Sequence, residues 1–154
     1  MDASKAAAPV IGRPDESERV SFGPLSFYQK LVGGGDVPIW TGVQTCQPGY
    51  AAPLHSHPYM ELILVLEGEG AFWFEGDEGN EIRLKQHEII ALPPHRPHAF
   101  RNAGSADLKI MGIHCSPQRH VDFLDGRQAG ANGYQKFGPD GQPVYGESRP
   151  TAVT

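Results

Sequence analysis

The 154-residue sequence predicts an all-β domain, a sandwich or barrel of short strands. Three observations predict it. Apolar, β-branched and aromatic runs recur at short spacing along the chain. The 19 glycines and 14 prolines punctuate those runs rather than replacing them. Between the runs there is no amphipathic stretch long enough to be a crossover helix.

Each element follows from the same reading. Residues 1–19 are polar, charged and turn-rich, an N-terminal arm with a short strand expected near Val10 and Ile11. Strands are expected at 25–31, 39–46, 54–66, 71–75, 81–84, 88–92, 98–101 and 108–115. Turn sequences separate them: "GGGD" (33–36), "QPG" (47–49), "EGEG" (67–70), "EGDEGN" (75–80), "LPPHRP" (92–97) and "NAGSAD" (102–107). One short C-terminal helix is expected over 117–125, with Ser116 as its cap, Pro117 at its first position and Gly126 after its end. Residues 126–154 are rich in Gly and Pro with no apolar period. They form a tail with one turn at "PDGQ" (139–142), either disordered or docked on the barrel or on a second subunit. There is no internal repeat, so the organisation is an arm (1–19), one β domain (20–125) and a tail (126–154).

Composition excludes several functions. The net charge of −5 and the lack of a basic stripe argue against a nucleic-acid partner. Cys46 and Cys115 form no spaced framework and suit a reducing compartment. The first twenty residues lack an apolar signal core, and the longest apolar run is far too short to span a membrane. The expectation is a soluble cytoplasmic protein. The chain is long enough to build a core without disulfides or a structural metal.

Chemistry concentrates in "GYAAPLHSHPYMELILVLEG" (49–68). Side chains alternate between faces along a strand. An extended chain from residue 55 therefore places His55, His57, Tyr59, Glu61, Ile63 and Val65 on one side, with same-face neighbours about 7 Å apart. Two imidazoles and a carboxylate converging beside an apolar run are a metal-site arrangement, since burying them unpaired costs several kcal/mol. Met60, Leu62, Leu64 and Leu66 make the opposite side apolar as well. The N-terminal arm or a second subunit must cover it, and a homodimer is the expectation.

The set wants a further donor, and "HEIIALPPHRPHAFRN" (87–102) offers His98 at the start of a strand after a proline-rich corner. Here the sequence resembles the cupin superfamily. Residues 49–68 fit its first motif, G-x5-H-x-H-x3-E-x6-G, at Gly49, His55, His57, Glu61 and Gly68. Residues 87–102 fit most of the second, G-x5-P-x-G-x2-H-x3-N, at Pro93, His98 and Asn102. His87 and His95 stand where that motif has glycine. Both are turn positions, and histidine tolerates left-handed backbone better than most residues, so an altered turn is expected and not a lost site. The resemblance covers residues 40–115 and implies a jelly-roll barrel with a metal held by His55, His57, Glu61 and His98.

Imidazoles with one carboxylate suit a divalent transition ion such as Fe, Mn, Ni, Cu or Zn. Four protein ligands on a six-coordinate ion leave two positions for substrate, dioxygen or water. His114 is the candidate acid/base or outer partner of the ligands, on the inward phase of Leu108, Ile110 and Gly112. Phe100, Trp73 and Ile63 are candidate substrate-pocket residues. The implied function is a metal-dependent enzyme on a small organic molecule, a non-haem iron dioxygenase-type oxidation first. A metal-dependent isomerase or lyase, and a non-catalytic ligand- or metal-binding cupin, are the alternatives, because a fold hosts many chemistries.

Overall fold

The computed structural model describes residues 7–146. Eleven strands run in order: β1 (Val20–Ser21), β2 (Ser26–Lys30), β3 (Trp40–Cys46), β4 (His55–Ser56), β5 (Glu61–Glu67), β6 (Glu69–Phe74), β7 (Ile82–Lys85), β8 (Ile89–Leu92), β9 (His98–Asn102), β10 (Leu108–His114) and β11 (Asp122–Phe123). They form two antiparallel sheets. One has the order β1-β2-β3-β10-β5-β8 and the other β11-β4-β9-β6-β7. The architecture is all-β, two facing sheets of jelly-roll type rather than a fully closed barrel.

The strands carry their own polarity along their length. In the six-stranded sheet, Leu108 pairs with Cys46, Ile110 with Gln44 and Val65, Gly112 with Gly42 and Ile63, and His114 with Trp40 and Glu61. Opposite them, Phe72 pairs with Phe100, and Phe74 with His98. One end of the inter-sheet space is thus apolar, filled by Cys46, Val65, Phe72, Leu84, Phe100 and Leu108. The other end gathers Glu61, His98 and His114, all buried. The apolar end provides the stabilising burial, on the order of 2 kcal/mol for each large side chain, and leaves the polar end free for chemistry.

Two further motif residues, Asn102 and Gly68, hold turns. Asn102 donates to the carbonyls of Cys46 (3.0 Å) and Ala106 (2.9 Å) and accepts from the Gly104 amide (2.9 Å). Gly68 has φ +84°, and a Cβ there would stand 2.6 Å from the Asp107 carbonyl oxygen. His87 (φ 72°) and His95 (φ 61°) both take the left-handed conformation that glycine would supply, as their tolerance of it predicts.

Three expectations are corrected. The stretch 54–66 is not one strand: it leaves the five-stranded sheet after β4 and enters the six-stranded sheet at β5, crossing at residues 57–60. No helix forms over 117–125. The Gln118 amide does bond the Ser116 hydroxyl (3.3 Å), but as a local turn. Beyond it, the backbone finds long-range partners. Asp122 and Phe123 pair with Ser56 and His55, and the Leu124 amide donates to the Leu54 carbonyl. Those pairings consume the groups that a helix would satisfy internally. Val10 and Ile11 form no strand and are exposed.

The described part of the arm lies along the edge of the six-stranded sheet. Gln29 donates to the Pro14 carbonyl (2.8 Å), and Arg19 sits over the Phe27 ring. Of the tail, 126–146 fold back in paired turns, with bridges Arg127 to Tyr145, Ala129 to Gln135 and Phe137 to Pro143. The expected turn closes through the Gly141 amide to the Gly138 carbonyl at 2.9 Å. The remainder of the arm (1–6) and of the tail (147–154) lies outside the described residues. Among the described residues, no helix is long and apolar enough to cross a membrane.

Candidate metal centre

His55 on β4, His57 just after it, Glu61 at the start of β5 and His98 at the start of β9 each offer one ligand atom, and these atoms all lie within 4.8 Å of one another. The crossing at 57–60 brings them together. Both sheets contribute, so the convergence does not depend on one extended strand curling its same-face residues onto a point.

Three imidazoles are oriented by backbone carbonyls. His55 Nδ1–H donates to Pro53 O (2.7 Å), His57 Nδ1–H to His120 O (2.6 Å) and His98 Nδ1–H to Arg96 O (3.0 Å). A carbonyl only accepts, so each Nδ1 carries the proton and each Nε2 presents a lone pair. His57 Nε2 stands 2.7 Å and His98 Nε2 3.6 Å from the same Glu61 oxygen, Oε2. All three atoms are buried, and none has a hydrogen-bond partner. Unpaired buried acceptors cost about 1–3 kcal/mol each. A cation between them satisfies all three, so the residues present fit a divalent metal. Nitrogen and carboxylate donors without thiolate suit a transition ion, not a structural zinc.

The charge states agree. Burial and the neighbouring His98 and His57 hold the His55 imidazole well below its ordinary range, in the neutral form a ligand needs. Burial works against the charge on Glu61, but His114 and His57 beside it hold the carboxyl well below the usual carboxylate range.

His114 lies at the end of β10 with Nε2 3.5 Å from Glu61 Oε1. Burial is the main cause that lowers it to about 3. Its Nδ1 is 2.9 Å from the hydroxyl of Tyr59. That hydroxyl also accepts from the His120 amide (2.9 Å) and lies 3.1 Å from the His120 carbonyl. Burial pushes the Tyr59 phenol up to about 12, so it stays protonated. Its single proton goes either to His114 Nδ1 or to the His120 carbonyl. Gly112 makes room for this cluster: a Cβ there would stand 3.2 Å from Glu61 Oε1 and 3.5 Å from His114 Nε2.

A cavity of about 50 Å3 opens beside the cluster. His55, His57, Glu61 and His114 form its polar wall, and Ile63, Phe100, Ile110, Val121 and Phe123 much of its apolar wall. Phe100 and Ile63, two of the expected pocket residues, line this cavity. Trp73 is not among the lining residues, because it pairs with Ala99 and alternates with the inward Phe72 and Phe74. Tyr59 was legible on the ligand face but had no assigned role. Arg119 and Gln135, which also line the cavity, were hidden in a stretch read as helix and in a tail without pattern.

Comparison with known proteins agrees with the fold. A family model described as a cupin domain matches residues 42–114. Auxin-binding protein 1 of Arabidopsis thaliana is 30% identical over 112 residues, 69% of this chain and 53% of that protein. Auxin-binding protein T92 of Nicotiana tabacum is 22% identical over 131 residues, 76% of this chain and 69% of that protein. The chain thus spans about half the length of the first of these relatives. Among solved structures, a Bacillus subtilis oxalate decarboxylase described with Mn(II) centres matches with a TM-score of 0.64 at 17% identity, covering 74% of this chain and 32% of that one. At that identity the likeness speaks to the fold alone.

Proposed function

The chain belongs to the cupin superfamily, and from that premise we propose that it is a metal-dependent enzyme acting on a small organic molecule. One observation carries the reading: His57 Nε2, Glu61 Oε2 and His98 Nε2, buried and without hydrogen-bond partners, converge beside a cavity. His55, His57, Glu61 and His98 would hold one divalent ion, chosen among Fe, Mn, Ni, Cu and Zn. When bound, it would supply Lewis acidity or redox chemistry. The Mn(II) centres of the oxalate decarboxylase neighbour keep manganese in that set.

The chain's own residues do the rest. Ile63, Phe100, Ile110 and Val121 keep the site apolar, which excludes water and strengthens every charge interaction inside it. His114 and Tyr59 hold a proton between them beside Glu61, a pair able to give or take one from a bound molecule. We place oxygen-dependent oxidation with iron first, on the strength of the apolar lining. Isomerase or lyase chemistry with His114 as the base comes second.

The test is metal analysis of protein purified without an affinity-tag metal, followed by oxygen-consumption assays of the iron-loaded protein on phenolic and diketone substrates. Oxygen uptake supports the first assignment. Turnover of a hydroxy acid or sugar under argon, with no uptake on any substrate, replaces it with the second.

A further reading is favoured by the relatives described as auxin-binding proteins: a binding module without turnover. His57→Ala protein that keeps full ligand binding would support that reading over metal catalysis. The homodimer belongs to the same proposal. The outer face of the six-stranded sheet stays partly exposed at Leu62, Leu64, Met111 and Ile113, because the described arm lies against β2 instead.

A further inference from the structure

We infer that the segment after β10 makes this cavity a receptor for a small carboxylate, with Arg119 and Gln135 holding the end of the ligand that does not reach the metal. The inference rests on the proposed metal site for one end of that ligand only.

Arg119 is gripped within the cavity wall, by Gly133, Phe22 and Tyr28 among others. Its Nη1 donates to the carbonyls of Asn132 (3.1 Å) and Gly133 (3.0 Å). The guanidinium carbon lies 5.2 Å from the Phe22 ring centre, 5.1 Å from Tyr28 and 5.7 Å from Tyr134, within cation–π range. Gly133 permits the grip, since a Cβ there would stand 2.8 Å from Val121 Cγ2 and 3.2 Å from Arg119 Nη1. These contacts fix the guanidinium while leaving its Nε–H buried and without an acceptor. Gln135 Nε2 is likewise buried and without an acceptor. Both residues line the cavity that also holds His55, His57 and Glu61. Two side chains with an unsatisfied N–H donor thus share one cavity wall with residues of the metal cluster.

The charges point the same way. Neutral imidazoles, one carboxylate and a divalent ion leave a net charge of +1. Arg119 adds another, and among the described residues no ion pair neutralises it. The unsatisfied N–H groups of Arg119 and Gln135 need acceptors, and a carboxylate supplies two acceptor oxygens for just such donors. About 50 Å3 holds only a handful of heavy atoms, so the ligand is short.

The experiment titrates cobalt(II)-loaded protein with acetate, using acetamide as the neutral isostere, followed by cobalt absorption and calorimetry. Acetate is expected to bind at least 10-fold more tightly than acetamide. Arg119→Gln and Gln135→Leu should each weaken acetate at least 10-fold, and acetamide by less, with cobalt stoichiometry unchanged. Wild-type acetate binding no tighter than acetamide overturns the inference, as do cobalt-replete variants that bind acetate like the wild type. If Arg119→Gln does not fold, Arg119→Lys and Gln135→Leu decide by the same criterion. If the wild type takes up no cobalt, the metal reading fails separately. The carboxylate site is then read from acetate-induced NMR shifts of the metal-free protein: shifts that vanish in Gln135→Leu sustain it, and their absence in the wild type overturns it.

Discussion

His57 Nε2 stands 2.7 Å from Glu61 Oε2, yet the proton that would make this a hydrogen bond sits on the other ring nitrogen, donated to the His120 carbonyl at 2.6 Å. Two buried lone pairs face each other. Only a proton shared between them or a cation can relieve them, and the two compete.

That competition makes metal a stabiliser. An ion at 100 times its Kd adds about 2.7 kcal/mol, which in a chain of this length raises Tm by roughly 5–10 °C. Calorimetry of protein with and without added Mn(II) or Fe(II), and after chelation, measures it. Glu61→Gln should abolish the shift and weaken metal binding by more than the ~100-fold upper range for residues that only orient ligands. An unchanged Tm on saturation would remove the metal from the proposal.

Acid should destabilise the metal-free fold through His114. Its folded value, about 3 through burial, lies below the ordinary 6.5. A group depressed in this way contributes stability that is complete above the unfolded value and is lost as pH falls through the window from 6.5 to about 3. Between pH 6.5 and 5 the loss is about 2 kcal/mol. Urea unfolding across that range shows it as a falling midpoint, and His114→Gln should make the slope shallower, leaving the share of His55, which is also held below its ordinary range. Glu61, held low, adds its own loss below the ordinary carboxylate range, in the same direction.

The strand positions were legible because their alternation is a local signal, and the interior of the six-stranded sheet reads straight from it at Glu61, Ile63 and Val65. The cluster of His55, His57, Glu61 and His98 was legible through motif spacing, but its convergence was expected for a partly mistaken reason. Alternation assumed one strand from residue 54, whereas the chain changes sheets between His57 and Glu61. A sheet change leaves no periodic trace. The stretch 116–126 misled for the opposite reason. Its local signals favour a helix, and only its partners Leu54, Ser56, Tyr59 and His57 far upstream overrule them. Arg119 followed it out of view, since a residue placed on a solvated helix carries no hint of a cavity.

Gly112→Ala tests how tightly the cluster is set. The new methyl would lie 3.2 Å from Glu61 Oε1 and must displace either the carboxylate or His114 by a few tenths of an ångström. The backbone itself accepts alanine, as φ at this position is not positive. Metal affinity should drop about 10-fold, in the range for a perturbed ligand shell. Thermal stability of the metal-free protein should change by no more than about 1 kcal/mol. Titration calorimetry with Mn(II) separates the two effects, and wild-type affinity would show that the carboxylate has room to spare.

The exposed side of the six-stranded sheet gives the last expectation. Leu62 pairs with Ile113 and Ala91, and Leu64 with Met111 and Ile89, on the side opposite Glu61 and Ile63. Ile89 is 54% exposed and Met60 42%. The described arm instead approaches β2, where Gly12 packs so closely on Leu31 that a Cβ would meet its backbone at 2.6 Å. A second copy offers the same apolar surface, and a twofold contact needs only one self-complementary patch. Leu64→Glu places a charge at its centre without touching the metal cluster, because residue 64 points away from it. Sedimentation velocity should show a dimer for the wild type and a monomer for the variant, with metal stoichiometry equal in both. A wild-type monomer at all concentrations would leave this surface to a different partner.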